Sequence, residues 1–299
     1  MKYCASLPLT LMLALAGSPA AAITVRDDAG NSITLARPAQ RVISMAPHIT
    51  ELLFAAGGGD RVAGVMNYSD YPEAAKRLPL VGSDQQIDLE RVLSLKPDLL
   101  VVWKSGNTAR QLEQLKSLGL PVYYSEPQKL DEVAASLIRL GQLLGTEPQA
   151  QAAAADYRQK IAALAAKYAA RAPVRVFYQI WEKPVFTLNG DHIISDAIRI
   201  CGGRNVFGDL KVIAPSVSTE AVLQANPEAI LGGEKHDNES GINIWKPYPG
   251  LLAVKRGNLF MLDSELLTRA TPRIADGAAA LCEKVEQARQ HRPLSATRP

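Results

Sequence analysis

The sequence predicts an α/β protein: two Rossmann-like lobes with mainly parallel sheets, joined by one long rigid helix. Three observations carry that expectation. Apolar runs of strand length, "LLVVW", "PVYYS", "VRVFYQI", "EAILGG" and "LFML", alternate with helical stretches, which is the rhythm of βα units. Between the two halves, "TEPQAQAAAADYRQKIAALAAKYAAR" holds helical spacing without a break. One plan also occurs twice: "LERVLSLKPDLLVV" (89–102) is echoed by "TEAVLQANPEAILG" (219–232). Glu90 matches Glu220, Pro97 matches Pro227 and Asp98 matches Glu228. Each copy reads as a short helix stopped by proline and feeding a buried strand.

The chain begins with Lys2, an apolar run of about ten residues from Leu7 to Ala16, and the small residues Ala20-Ala21-Ala22. That is the layout of a secretory signal peptide, cleaved near Ala22. The run is too short to cross a bilayer, which takes about 20 residues. Cys4 precedes the run, where a lipid anchor would need a cysteine after it. The expected product is a soluble, exported chain starting near Ile23. Cleavage leaves Cys201 and Cys282. Two cysteines in an oxidising compartment are either a disulfide or two buried thiols.

The expected divisions are a signal peptide over 1–22, an N-terminal lobe with a leading hairpin over 23–145, a linking helix over 146–171, a C-terminal lobe over 172–292 and a tail over 293–299. "ITVRDDAGNSITL" alternates around Ala29-Gly30-Asn31 and reads as the hairpin. "RVISMAPHITELLFAAGGGDRVAGVM" reads as strand, loop, helix, glycine stop, strand. Thr50 with Leu52, Leu53 and Ala56 gives the helix, and Gly57 ends it. The Gly57-Gly58-Gly59 run follows a helix instead of opening one, so it reads as a turn and carries no phosphate site. In the linking helix, Thr146 with Gln149 suggests a capping box. Ala153, Tyr157, Ile161, Leu164 and Tyr168 lie on one face. About 25 residues at about 1.5 Å each would span roughly 37 Å, a strut between the lobes.

Two α/β lobes facing each other form a crevice, and ligands sit on loops beyond the carboxyl ends of such strands. "VMNYSDYP" puts Tyr68 and Tyr71 on one of these loops, although aromatics are only 6% of the chain. Trp103 and Trp181 end two other strands. They read as cleft walls or as core residues finishing their strands, whereas Trp245 reads as loop packing. An aromatic side chain can bury about 150–250 Å², so a few rings would supply several kcal/mol of affinity.

The formal charge of +3 comes with no dense basic run interleaved with aromatics, so nucleic acid is not indicated. Neither G-x-G-x-x-G after a strand, G-x-x-x-x-G-K-[ST], G-x-S-x-G nor H-E-x-x-H occurs, and an enzyme is not expected. The histidines His48, His192, His236 and His291 are scattered, which disfavours a metal site. His48 follows the first strand and could line the cleft, and His236 in "EKHDNE" reads as a solvated loop. Glu90 and Glu220 fit either the first turn of a helix, favoured by its dipole, or one exposed acid per lobe facing a two-fold partner.

These features together resemble the substrate-binding proteins of type II ABC importers, which carry metal chelates, siderophores, haem and cobalamin. "YSDYP" (68–72), "LERVLSLKPDLLVVWKSGN" (89–107), "CGGRNVF" (201–207) and "RATPRI" (269–274) are most similar to the cobalamin-binding members. The resemblance implies a periplasmic location and capture of cobalamin or a related corrinoid between the lobes. The captured ligand is its cargo, no cofactor is implied, and a monomer would deliver it to an ABC permease dimer in the inner membrane. It implies ligand contacts from Tyr68, from Trp103 and Phe186, and from the segment Glu265, Leu266, Leu267, Thr268 and Arg269. Trp181 would replace ring area lost elsewhere. It implies docking of Glu90 and Glu220 on the permease and a disulfide between Cys201 and Cys282. The family pocket has tryptophans where this chain has Asp84 and Ala214, and an aspartate followed by aromatics where it has Glu265-Leu266-Leu267. These departures bear on ligand identity and leave open a haem- or siderophore-binding member of the same class, with Tyr68 as an iron ligand in the haem case.

Overall fold

The computed structural model describes residues 22–83, 85–234 and 241–293. The expected signal peptide up to residue 21, Asp84, His236 and most of the tail lie outside these residues.

The N-terminal lobe opens with an antiparallel hairpin, β1 (Ile23–Arg26) and β2 (Ser32–Leu35). Asp27 shapes its turn: Oδ1 accepts from the backbone amides of Ala29 at 3.0 Å and Asn31 at 2.7 Å. Val25, Ile33 and Leu35 face inward and join the main core. The lobe proper holds β3 (Val42–Ser44), α1 (Pro47–Ala55), β4 (Val62–Val65), α2 (Leu89–Ser94), β5 (Leu99–Trp103), α3 (Ala109–Lys116), β6 (Val122–Ser125) and α4 (Leu130–Leu144). Its four strands are all parallel, in the order β4-β3-β5-β6.

Helix α1 starts earlier than its sequence suggests. Proline is pre-organised for the first helical position, and Pro47 occupies it, so His48 and Glu51 fall within the helix. Thr50 is an interior residue whose hydroxyl lies 2.8 Å from that of Ser44. Gly57, at φ +84°, ends the helix in a conformation that other residues adopt at a cost.

The linking helix α5 (Glu147–Tyr168) has 22 residues, a length of about 33 Å. Thr146 precedes it without capping it. Its hydroxyl donates to the Ala56 carbonyl at 2.7 Å, so the capping box gives way to a tie between the ends of α1 and α5. Ala150, Ala154, Tyr157 and Tyr168 are buried, and Ala153, Ile161 and Leu164 pack beside them. The Tyr157 hydroxyl donates to the Leu130 carbonyl at 2.8 Å.

The C-terminal lobe holds β7 (Val174–Gln179), β8 (Trp181–Glu182), β9 (Val185–Phe186), α6 (Ile193–Ile200), β10 (Gly203–Asn205), α7 (Thr219–Ala225), β11 (Ala229–Glu234), α8 (Leu252–Lys255), β12 (Leu259–Asp263), α9 (Ser264–Thr268) and α10 (Ile274–Gln290). Its main sheet is parallel, in the order β10-β7-β11-β12. Numbered within each lobe, both sheets run second, first, third, fourth. A disulfide joins Cys201, just after α6, to Cys282 in α10, with the Cα atoms 4.6 Å apart.

Both sheets are buried on both faces, as parallel sheets generally are. The main core is shared: it runs from Val42 and Leu99 through α4 and α5 to Val176, Leu231, Ile198 and Leu281. Each lobe adds a smaller core on its outer face. Ile43, Leu100 and Val92 belong to the first, and Phe177, Ile230 and Trp245 to the second.

Candidate functional site

The carboxyl ends of the two sheets meet at a cavity of about 350 Å³ lined from both lobes. Trp103, at the end of β5, forms the aromatic part of the N-terminal wall and is 38% exposed. The loop beneath it is a socket. A Cβ on Gly106 would sit 1.8 Å from the indole, so only glycine lets the backbone lie against the ring. The indole Nε1 donates to Glu126 Oε1 at 3.4 Å, and the Ser105 amide donates to Glu126 Oε2 at 2.8 Å. The backbone amide of Trp103 donates to Asn107 Oδ1 at 2.8 Å. Asn107 is in turn fixed to the Met45 carbonyl at 3.1 Å. His48 meets the indole edge-on, with ring centroids 5.2 Å apart.

The opposite wall is aliphatic, with Ile180, Leu188, Ile194, Ile213 and Ala214. The charged residues among the described lining are Glu126 and Asp191, and no lysine or arginine is among them. The nearby histidines add no cation at neutral pH. Burial, with a smaller push from the Arg269 charge, lowers the pKa of His48 to about 4. Burial and then Lys129 lower that of His192 to about 4. His192 uses Nδ1 to accept the Ile194 amide at 3.2 Å, which caps α6.

Trp181 and Phe186 face each other across the β8–β9 hairpin, adjacent to Ile180 at the rim of the cavity. The Trp181 Nε1 donates to the Lys183 carbonyl at 3.1 Å. Of the segment from Glu265 to Arg269, Thr268 lines the cavity and Glu265 and Leu266 are half-buried. Leu267 is a correction to the expected ligand contacts. It is fully buried in the main core, so its side chain has no face toward the cleft.

Arg269 also departs from expectation. Its Nη1 donates to Glu51 Oε1 at 2.9 Å and to Asp70 Oδ1 at 2.7 Å, both in the other lobe. Thr271 donates to Glu51 Oε2 at 2.9 Å, and Arg273 Nε lies 3.3 Å from the same oxygen. The Arg273 guanidinium also lies over the Tyr71 ring, 4.1 Å from its centroid. Burial pulls the Asp70 carboxyl upward, but the Arg269 hydrogen bond and charge outweigh it and hold its pKa below the usual range. Glu51, Asp70, Arg273 and Glu126 were not singled out by the sequence. The signal available was a lone carboxylate on the otherwise apolar face of "HITELLF", with two arginines spaced around "RATPRI" to receive it.

Tyr68 is 74% exposed, at φ +62°, on the loop after β4. It is outside the lining of the cavity, and its carbonyl lies 3.4 Å from Arg269 Nη2. The rings of Tyr68 and Tyr71 therefore differ: the second is stacked under Arg273, the first is free.

Glu90 and Glu220 lie away from the cleft, exposed in the first turns of α2 and α7. Each helix is capped alike, Asp88 accepting the Arg91 amide at 2.8 Å and Ser218 the Ala221 amide at 3.1 Å. Among the described residues, no group of histidine, cysteine or acidic side chains is placed to hold a metal, and no helix is long and apolar enough to cross a membrane.

Residues 42–266 match a family described as periplasmic binding protein. The vitamin B12-binding protein of Vibrio cholerae serotype O1 is 40% identical over 246 residues, which cover 82% of this chain and 88% of that protein. That of Yersinia pestis is 40% identical over 251 residues, covering 84% and 88%. The crystal structure of periplasmic vitamin B12 binding protein BtuF of Vibrio cholerae superposes with a TM-score of 0.77 at 39% identity, covering 85% of this chain and 99% of that one. The periplasmic heme-binding protein RhuT from Roseiflexus superposes with a TM-score of 0.71 at 26% identity, covering 83% and 98%.

Proposed function

The chain belongs to the periplasmic binding protein family, and from that premise we propose that it captures cobalamin or a closely related corrinoid between its lobes. It delivers this cargo to an ABC importer in the inner membrane and makes or breaks no covalent bond. The signal peptide directs export to the periplasm and is removed near Ala22. Glu90 and Glu220, one per lobe on equivalent helices, dock on the two halves of a permease dimer.

The chemistry of the cavity carries this reading. A fixed indole faces an aliphatic wall, and the charged lining residues are the carboxylates Glu126 and Asp191. A corrinoid presents an apolar ring edge and uncharged amide arms, which such a surface accepts. Haem and carboxylate siderophores would meet like charge at Glu126, whereas Asp191 is offset by Lys129 Nζ at 3.7 Å. Relatives at 40% identity named for vitamin B12 support the same choice. Burying much of one indole supplies a few kcal/mol at about 25 cal/mol per Å², and the rigid wall lowers the ordering cost of binding.

Calorimetric titration of the protein from Ile23 with cyanocobalamin, cobinamide and hemin tests this. One-to-one binding of cyanocobalamin, weakened by Trp103→Ala, is the expected result. Binding of hemin with none of either corrinoid would overturn the corrinoid assignment and keep the importer class.

A further inference from the structure

We propose that Arg269 is a positioning residue, which reaches across the lobe junction to hold the Tyr68 loop through Glu51 and Asp70 and does not itself touch the ligand. The inference rests on the corrinoid reading only for its affinity measurement.

The geometry leaves Arg269 little to offer a ligand. Nη1 is shared between two carboxylates, and Nη2 faces the Tyr68 carbonyl at 3.4 Å and Glu265 at 3.7 Å. The side chain is 13% exposed, and that of Glu51 is 2% exposed. A guanidinium that swung out to a ligand would break the Asp70 bond and leave Glu51, a buried carboxylate, with Arg273 at 3.3 Å as its remaining cation, which is unfavourable. Moreover, Glu51 Oε2 is already engaged by Thr271 and Arg273 from the same side, so the whole segment from 269 to 273 is tied to α1.

The loop on the receiving side needs such a hold. Tyr68 has a left-handed backbone, which a residue with a side chain keeps only when its surroundings impose it. Its neighbours are pinned one after another. The Thr50 hydroxyl donates to the buried Ser69 hydroxyl at 3.0 Å, Arg269 takes Asp70, and Arg273 covers Tyr71. Only the Tyr68 ring is left without a hold. A residue of the N-terminal lobe is thus presented by a side chain of the C-terminal lobe.

Two measurements test this. The first needs no ligand: the rate of chymotryptic cleavage after Tyr68 in the free protein. A pinned loop is cut slowly however exposed its ring, because cleavage requires local opening. Arg269→Met, and Asp70→Asn as a milder change at a partly exposed site, should each speed that cut about tenfold or more, leaving other sites unchanged. Unchanged rates in both would overturn the proposal. The second is a cycle of Tyr68→Ala, Arg269→Met and the double variant, read as cyanocobalamin affinity. Losses that fail to multiply are expected, since both changes remove the same presented ring; fully multiplying losses would mean that Arg269 contacts the ligand on its own. If the parent binds no cyanocobalamin, the corrinoid reading fails and the cleavage rates still decide the role of Arg269.

Discussion

The two lobes share a frame and differ at the cleft. Both sheets run in the same strand order, and the third strand of each is fed by a short capped helix with an exposed glutamate at its second position. Even the acid after the proline does the same job. Asp98 accepts the amides of Gln40 and Arg41, at 2.8 and 2.9 Å, where the first strand begins. Glu228 accepts the Arg175 amide at 3.2 Å at the equivalent place and adds Arg256 and Arg292. At the opposite ends of the strands the likeness stops. One lobe builds a braced indole, the other an aliphatic wall with a two-stranded flap. The amino ends of the strands carry the shared architecture, and the carboxyl ends, free of that duty, carry the ligand chemistry.

The comparison breaks most sharply at the junction. Glu51→Ala would leave Arg273 without its carboxylate and Arg269 with Asp70 and Glu265 alone, both guanidiniums largely shielded from water, and loss of one partner from a buried pair costs about 3–5 kcal/mol. Urea unfolding should show that loss in a single transition, because the main core is common to both lobes. Next comes the disulfide, a feature of the C-terminal lobe alone. The double change Cys201→Ala and Cys282→Ala should lower stability by about 2–4 kcal/mol. Ligand affinity, measured by titration, should stay unchanged, since Cys201 lies at the end of α6 opposite the cavity-lining Ile193 and Ile194.

Gly106→Ala acts in the other lobe and on the other property. The added methyl must displace the Trp103 ring, and cyanocobalamin affinity should fall about tenfold, equivalent to about 1.4 kcal/mol. Stability should change less, because the ring is partly exposed. Replacing Glu90 and Glu220 with alanine, singly and together, sharpens the likeness. Each single change should weaken binding to the permease complex by a similar factor, with ligand affinity intact; a one-sided effect would break the equivalence.

The smallest effect concerns pH. Each lobe holds one histidine lowered to about 4, the buried His48 and the half-buried His192. The unfolded chain takes up protons near the ordinary value of 6.5, the folded chain only near 4, so both residues draw stability away as pH falls between those values. His48→Gln and His192→Asn should each flatten the decline of melting temperature over that interval.

Much of this was legible in the sequence because parallel strands buried on both faces read as continuous apolar runs. "LLVV" and "VRVFY" could be little else. The echo around Glu90 and Glu220 was readable because caps, proline and acid are local features. Local reading failed where partners are distant. Thr146 looks like a cap and instead finds a carbonyl on α1. Leu267 sits in α9, in a segment matched to ligand contacts, and its burial comes from the packing of α9 on α10, a tertiary contact that local spacing does not reveal. Arg269 and Glu51 are separated by 218 positions, and no spacing rule joins them. Glu126 hides for the same reason, since its partners Trp103 and Ser105 come from the neighbouring strand's loop.

The core common to both lobes has a kinetic consequence for transport. A body whose halves share their interior keeps nearly one outline whether empty or loaded. Under the proposed function, empty copies would then compete with loaded ones for the same landing site on the importer. Uptake would depend on the ratio of filled to unfilled carriers, and overproducing the carrier at scarce cargo would slow import instead of speeding it.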